Sequence, residues 1–520
     1  MRAHLATLRH AAITTLAALV TACAVGPNYK RPPLPPATGY APAGFPRATA
    51  ATPGIAGGAQ SIAVGRDVSA EWWELFQSPP LNALIARAFT ANPTIGAAVA
   101  ALRQAQENVY AQRGFFFPTL EAGYQAERTK LSGNTATANT PIFGANGVVI
   151  EPTAPAQPVT YNFHTAQLTV GYSPDIFGLN RRQVESLQAQ ADQARFELQA
   201  AYVTLASNVV AAALQEAATR AQIAAVRAII EDNRRSVEIL RGQLRLGYVM
   251  RLDVAAQEAA LAQAQAQLPP LEKQLAQTRD LLRVLVGNAP DHDVPETFEL
   301  SALHLPGELP LSLPSKLIEQ RPDVRAAEEQ VHAASAEVGV AVANRLPQFS
   351  LTGDLGGNAP SFSQMFLGSG TFWDILGGVS ETIFDGGTLR HRQRAAEQGL
   401  IEAAAQYRST VLGAFQNVAD TLHALYADAD ALKTAAAAER AARITLDLTR
   451  RQLQVGYVNY LSLLAAEQSD QQAQIALVQA QATRLGDTAA LFQALGGGWW
   501  NRPSDEGVHP DQPHVQPEGK

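Results

Sequence analysis

Apolar residues recur along this chain with two different periods, and the change from one to the other outlines its elements. Val184, Leu187, Ala191, Ala194, Leu198, Ala201 and Leu205 keep an unbroken three–four spacing, the seam of a helix packed along another with left-handed supercoil. The pattern slips at Asn208, so packing is expected to continue on a shifted stripe. No Gly or Pro interrupts the 63 residues from Leu179 to Arg241, which would span about 95 Å as a helix. Elsewhere the period is two. Leu120, Ala122, Tyr124 and Ala126 alternate with Glu121, Gly123, Gln125 and Glu127, and Ala166, Leu168, Val170 and Tyr172 with Gln167, Thr169, Gly171 and Ser173. Phe349, Leu351, Gly353 and Leu355 alternate with Ser350, Thr352 and Asp354, and a less regular fourth strand follows. Strands of about ten residues have the length a tilted strand needs to cross a membrane.

A tandem duplication orders these elements. The 25 residues from Arg241 (RGQLRLGYVMRLDVAAQEAALAQAQ) match those from Arg450 (RRQLQVGYVNYLSLLAAEQSDQQAQ) at 12 positions without a gap, at an offset of 209. Asn92-Pro93 parallels Arg321-Pro322, Phe117-Pro118 parallels Leu346-Pro347, and Ile176-Phe177-Gly178 parallels Ile383-Phe384 with Gly386-Gly387. Each copy reads helix, strand, strand, long helix, return helix. The first copy is expected over 69–290, with strands near 118–130 and 161–175 and helices near 178–246 and 251–286. The second is expected over 320–497, with strands near 347–357 and 371–384 and helices near 388–455 and 460–495. Residues 291–319 read as a linker between copies. Residues 23–68, rich in Pro, Gly and Ala, read as an extended arm, and polar 498–520 as a disordered tail.

Charge and cysteine usage narrow the classes. The formal net charge is −7, and loss of residues 1–22, which carry Arg2 and Arg9, makes it about −9, so no polybasic surface for nucleic acid is visible. Arg2, Arg9 and the apolar run Ala11–Val20 form a secretory signal too short to span a bilayer. It ends in Val20-Thr21-Ala22-Cys23, which resembles the bacterial lipobox. Cys23 is the one cysteine, so neither an intrachain disulfide nor a thiolate metal cluster is possible. Diacylglycerol on its thiol and an acyl chain on the new N-terminus would make a stable anchor. No other cofactor is implied. The absence of HExxH, P-loop, GxSxG or paired CxxC patterns argues against an enzyme. Glu258 and Glu328-Glu329 are assigned to solvated helix faces.

Four membrane strands cannot close into a barrel, so several chains must join them. Long stretches of the mature chain, including CAVGPNYKRP at 23–32, EWWELFQSPPLNALIARA at 71–88, QRPDVRAAE at 320–328 and IFDGG at 383–387, resemble the outer-membrane efflux protein family typified by TolC and OprM, and its NodT-like lipoprotein branch. The resemblance implies a mainly α, TolC-like homotrimer with a twelve-stranded β-barrel in the outer membrane and a long periplasmic helical barrel. It also implies a periplasmic adaptor (membrane fusion protein) and an inner-membrane transporter of the resistance-nodulation-division (RND) type as partners, the whole forming a tripartite efflux system. An ABC-driven type I secretion system is the alternative setting; a periplasmic coiled-coil adaptor is disfavoured by the duplication. The transported substrate is not legible.

In the family the helix–turn–helix tips close the periplasmic end. Gly247 and Gly456 would permit the two tip turns. Ala465 stands where related chains place an acid, and Leu461 at a position like the family's apolar constriction. Closure is therefore expected to be mainly hydrophobic, with Asp253, Tyr457 and Tyr460 adding inter-helix hydrogen bonds.

Overall fold

The computed structural model describes residues 24–33, 37, 39–132, 142–143, 149–150 and 158–502. The signal segment 1–22, Cys23 and everything beyond Arg502 lie outside the described residues. The elements in order are β1 (Ser61–Val64), α1 (Pro79–Ala91), α2 (Pro93–Gly114), β2 (Thr119–Leu131), β3 (Ile142–Phe143), β4 (Val149–Ile150), β5 (Val159–Tyr172), α3 (Leu179–Arg245) and α4 (Arg251–Leu285). Then come β6 (Glu308–Leu311), α5 (Pro314–Gln320), α6 (Pro322–Ala343), β7 (Gln348–Ala359), β8 (Thr371–Ser380), α7 (Thr388–Gln454) and α8 (Tyr460–Ala494). The duplication survives to the residue: α3 and α7 are each 67 residues long, α4 and α8 each 35, α2 and α6 each 22.

Local chemistry sets the boundaries. Pro93 and Pro322 occupy first helical positions, where a missing N–H costs nothing. At the start of α3 the Asp175 carboxylate accepts from the backbone N–H groups of Asn180 and Arg181, both at 3.0 Å. Asp385 does the same for α7, accepting from Gly387 N–H at 2.8 Å and Leu389 N–H at 2.7 Å. Both place negative charge against the positive end of a helix. The strand expected to run to 384 stops earlier: β8 ends at Ser380, opposite Gln348, the first residue of its partner β7. The predicted seam on α3 is half correct: Ala191, Leu198 and Leu205 are buried, but so is a second stripe of Ala189, Phe196 and Val203, because α3 packs on more than one neighbour. Helix α4 runs through Pro269-Pro270, whose rings are exposed; two carbonyls there lose their helical donors.

Two compact units divide the chain. The first comprises the segment ending at Lys30, Ala105–Gln190 and Val331–Glu402, and holds the four-stranded sheet β2-β5-β7-β8, antiparallel throughout. The arm begins on this unit: Val25 N–H donates to Phe177 O at 3.1 Å, and the buried Arg182 donates to Val25 O at 3.1 Å and Asn28 Oδ1 at 2.8 Å.

The second unit holds Arg31–Gln104, Ala191–Gln330 and the chain from Ala403 onward. Three sequence expectations are corrected there. The arm contributes a strand, β1, parallel to β6, which itself lies within the expected linker; Ile62 N–H on β1 also donates to Arg47 O at 3.0 Å, so the arm folds back on its own strand. Arm residues also wrap the fully buried Arg484, which donates to Gly58 O at 2.7 Å and Thr49 Oγ1 at 2.9 Å. The expected tail is ordered at its start: Trp499–Asn501 form a 3-10 turn, and the Trp499 indole donates to Gln320 O at 2.6 Å.

Candidate functional site

Cross-strand register sorts the sheet into two faces of opposite character. Leu120 faces Val170, Val170 faces Gly353 and Gly353 faces Ile375, so one face carries Leu120, Tyr124, Leu168, Val170, Leu351, Leu355, Trp373, Ile375 and Val379. All are large and exposed, Trp373 at 72%. The other face carries Gln125, Gln167, Thr352 and four carboxylates. Glu121, Thr169, Asp354 and Asp374 fall in one register row across all four strands. An apolar face this continuous needs lipid or protein cover, while the acidic face needs water. No helix among the described residues is long and apolar enough to cross a membrane.

The two hairpin tips lie in the second unit and repeat each other's geometry. Gly247 and Gly456 have φ of 77° and 79°, the left-handed conformation that ends a helix without a Cβ clash. Tyr248 N–H reaches back to Gln243 O and Tyr457 N–H to Gln452 O, both at 2.9 Å, closing the same motif. Leu461 and Ala465 lie one turn apart on one exposed face of α8, Leu461 at 46%, so nothing within the chain covers the expected constriction residues. Tyr457 is 84% exposed and makes no inter-helix hydrogen bond among the described residues.

Only one of the three expected inter-helix hydrogen bonds forms. The Tyr460 hydroxyl donates to Gln257 Oε1 at 2.7 Å, and Gln257 Nε2 donates to Asn233 Oδ1 at 2.8 Å, so one polar chain ties α8 to α4 and α4 to α3. Asp253 instead accepts from Met250 N–H at 2.9 Å, because three residues into a helix its carboxylate meets its own free N-terminus first. Beside Gln257 lies the buried Glu467, whose pKa is raised by burial against the pull of Arg450; burial likewise raises the Tyr460 phenol.

Sequence reasoning missed Asn233, Gln257 and Glu467. The signal for Glu467 was in the repeat itself. Arg241–Glu258 at 2.6 Å and Arg450–Glu467 at 3.5 Å occupy equivalent positions across the two tips. Glu258 is the solvated partner expected, but Glu328 is buried and held by Arg31 at 2.9 Å and Arg325 at 2.7 Å, since the arm passes over that helix.

A half-apolar, half-acidic strand sheet joined to 67-residue helices is the architecture of an outer-membrane channel subunit. The chain belongs to the outer membrane efflux protein family, whose profile matches residues 84–288 and 313–497. It is 29% identical over 493 residues to the pyoverdine export outer membrane protein OpmQ of Pseudomonas putida, covering 94% of this chain and 98% of that one. It is 26% identical over 498 residues to the toluene efflux pump outer membrane protein TtgC of Pseudomonas putida, with 94% and 96% covered. Among solved structures, the outer-membrane channel OprN superposes with a TM-score of 0.78 at 26% identity, over 92% of this chain and 100% of that one. VceC of Vibrio cholerae superposes at 0.74 and 26%, over 83% and 100%. The protein is therefore a TolC-like outer-membrane efflux component.

Proposed function

We propose that this chain acts as a homotrimer, lipidated on Cys23, forming the exit duct of a tripartite pump with a periplasmic adaptor and an inner-membrane RND transporter. The observation that carries the proposal is the sheet order. Four antiparallel strands with one lipid-ready face end in two edges, β2 and β8, that have no partner among the described residues. Unpaired strand edges do not persist in hydrocarbon, and three such sheets supply twelve strands. Helices of 67 residues, about 100 Å long, supply the tube. The arm supports the lipid anchor: Ala24, the residue after Cys23, lies on Gly178, where any Cβ would come within 2.7 Å of its Cα. That contact is six residues past the end of β5, so acyl chains on Cys23 would enter the near leaflet.

Closure at the tips is hydrophobic on this reading, through a ring of Leu461 side chains that gates by dewetting. Native mass spectrometry of the detergent-solubilised protein should give three copies, and single-channel recordings should show a mostly closed pore. Leu461→Ala should raise conductance severalfold. Ala465→Asp should introduce block by divalent cations. A monomer without strand signal overturns the duct; unchanged conductance and block in both variants overturns the gate.

A further inference from the structure

The face of the sheet assigned to lipid carries no carboxylate, and its only Arg and Lys lie at one end of β2. Arg128 and Lys130 share the face of Leu120 and Tyr124 by strand alternation, whereas the four acids all point the other way. Helix α2 leads into β2 at Thr119, so Lys130 is at the end remote from the helices. From Leu120 it is ten residues along the strand, about 33 Å, or roughly 25 Å of height at the usual tilt, which is the height of an apolar band in such barrels.

What surrounds the two cations is equally one-sided. Strands β2 and β5 pair through Leu131 with Val159, but β7 follows β5 only as far as His164, so the cations stand on a two-stranded extension. Asn162 is opposite Arg128 and Thr160 opposite Lys130, which adds hydrogen-bond donors on the same face. Below them lies an aromatic group: the Tyr124 and Phe362 rings are 5.8 Å apart, and those of Phe362 and Phe366 5.5 Å. Apolar residues, then aromatics, then cations follow the order of acyl chain, interface and headgroup. Neither Arg128 nor Lys130 has an ion-pair partner among the described residues. In a closed ring the neighbouring copy would bring residues 361–373 alongside, a stretch without an acid. The connection 133–157 contributes one carboxylate by sequence, Glu151.

We propose that the outward face of this extension binds the phosphate groups of an outer-leaflet saccharolipid, with Arg128 and Lys130 as the two phosphate ligands and Asn162 and Thr160 as supporting donors. The inference rests on the sheet closing into a membrane barrel. The test uses the solubilised trimer exchanged into mixed micelles of bisphosphorylated lipid A, with bound lipid counted by native mass spectrometry. Wild type should retain the bisphosphorylated lipid, and Arg128→Ala/Lys130→Ala should lose about tenfold in retention. Arg128→Lys/Lys130→Arg should restore it, and a fully dephosphorylated analogue should bind both proteins equally weakly. A double-alanine variant that remains trimeric and conducting yet retains as much lipid overturns the proposal. So does equal retention of the dephosphorylated analogue by wild type. Failure of wild type to form a conducting trimer would strike the duct reading instead.

Discussion

The two halves of this duplicated chain keep the same helices and hold them together differently. In copy one the α3–α4 hairpin is clamped by charge. The fully buried Glu216 accepts from Arg220 at 2.7 Å and Arg279 at 2.9 Å, and Arg279 and Arg283 both reach Asp293 at 2.8 Å. Those hydrogen bonds, Arg279's first, hold the Asp293 carboxyl well below its ordinary range. The equivalent positions 209 residues on are Leu425, Ala429, Thr488 and Phe492. There the layer is uncharged: Thr488 accepts from Gln60 Nε2 at 3.1 Å, and Phe492 stacks on Trp72 with centroids 5.2 Å apart. Copy two puts its own charged cluster about one turn away, the buried Arg484 beside the half-buried Asp428 and Asp487, where copy one has Leu275, Thr219 and Thr278. Helix length and turn position, which would set the dimensions of a tube, are held to the residue. The interior that fills the space between helices has been free to change.

The largest effect should come from breaking the charged layer. Arg279→Ala leaves Glu216 buried with one arginine and loosens residues 293–294, because Arg279 also donates to Val294 O at 2.6 Å. We expect a loss of about 3 kcal/mol, read as a drop in the thermal midpoint of the helical signal. Converting the layer to its counterpart, with Glu216→Leu, Arg220→Ala and Arg279→Thr together, should be far less costly than Arg279→Ala alone, because no charge is left buried. If the triple variant is the worse of the two, the layers are not interchangeable and the comparison fails.

How much of this was readable beforehand follows from the same contrast. Period and Gly/Pro punctuation depend on the backbone alone, so β2, β7 and all four long helices were legible to within a few residues, as were the turns at Gly247 and Gly456. The strand pairing β1–β6 was not, because its two partners are 247 positions apart (61 against 308) and each is four residues long. The Tyr460–Gln257–Asn233 chain was illegible because these polar residues stand on Ala/Gln-rich helices where sequence gives no sign of which face is covered. Asp253 was assigned to the wrong partner because local capping was not weighed against a tertiary bond. The buried Arg484 left no signal in a segment that reads as an ordinary polar helix.

A smaller effect distinguishes the acid pair of copy two from the threonines of copy one. Burial, then the neighbouring Asp487 carboxylate, push the Asp428 pKa up to about 7, against the pull of Arg484. A carboxyl whose pKa is raised by folding stabilises the fold in its protonated form. That contribution is complete below the ordinary aspartate value of 3.8 and is lost as pH rises through about 7. Lowering the pH from 8 toward 5 should therefore raise the thermal midpoint of wild type relative to Asp428→Asn by about 2 °C, after screening by solvent at this half-exposed site is allowed for. Parallel pH profiles for the two proteins would remove Asp428 as the cause.

The smallest effect tests whether the two tips are equivalent in strength as well as in shape. Each return helix is capped by one half of the same reciprocal arrangement. In copy two the cap residue Asn459 accepts from Ser462 N–H at 3.0 Å and Ser462 Oγ–H at 2.9 Å. In copy one the cap residue is Met250, which has no comparable acceptor, and Asp253 reaches back to its N–H instead. Asn459→Ala should then cost about 1 kcal/mol and Asp253→Ala about half as much, since Asp253 satisfies a single donor. Amide hydrogen exchange at 452–462 and 243–253 reads each tip separately. Faster exchange at both tips, larger at the second, is the expected result. An unchanged rate at one tip would mean that its turn is fixed by the left-handed glycine alone, and that the two copies differ at the end of the hairpin as they do along it.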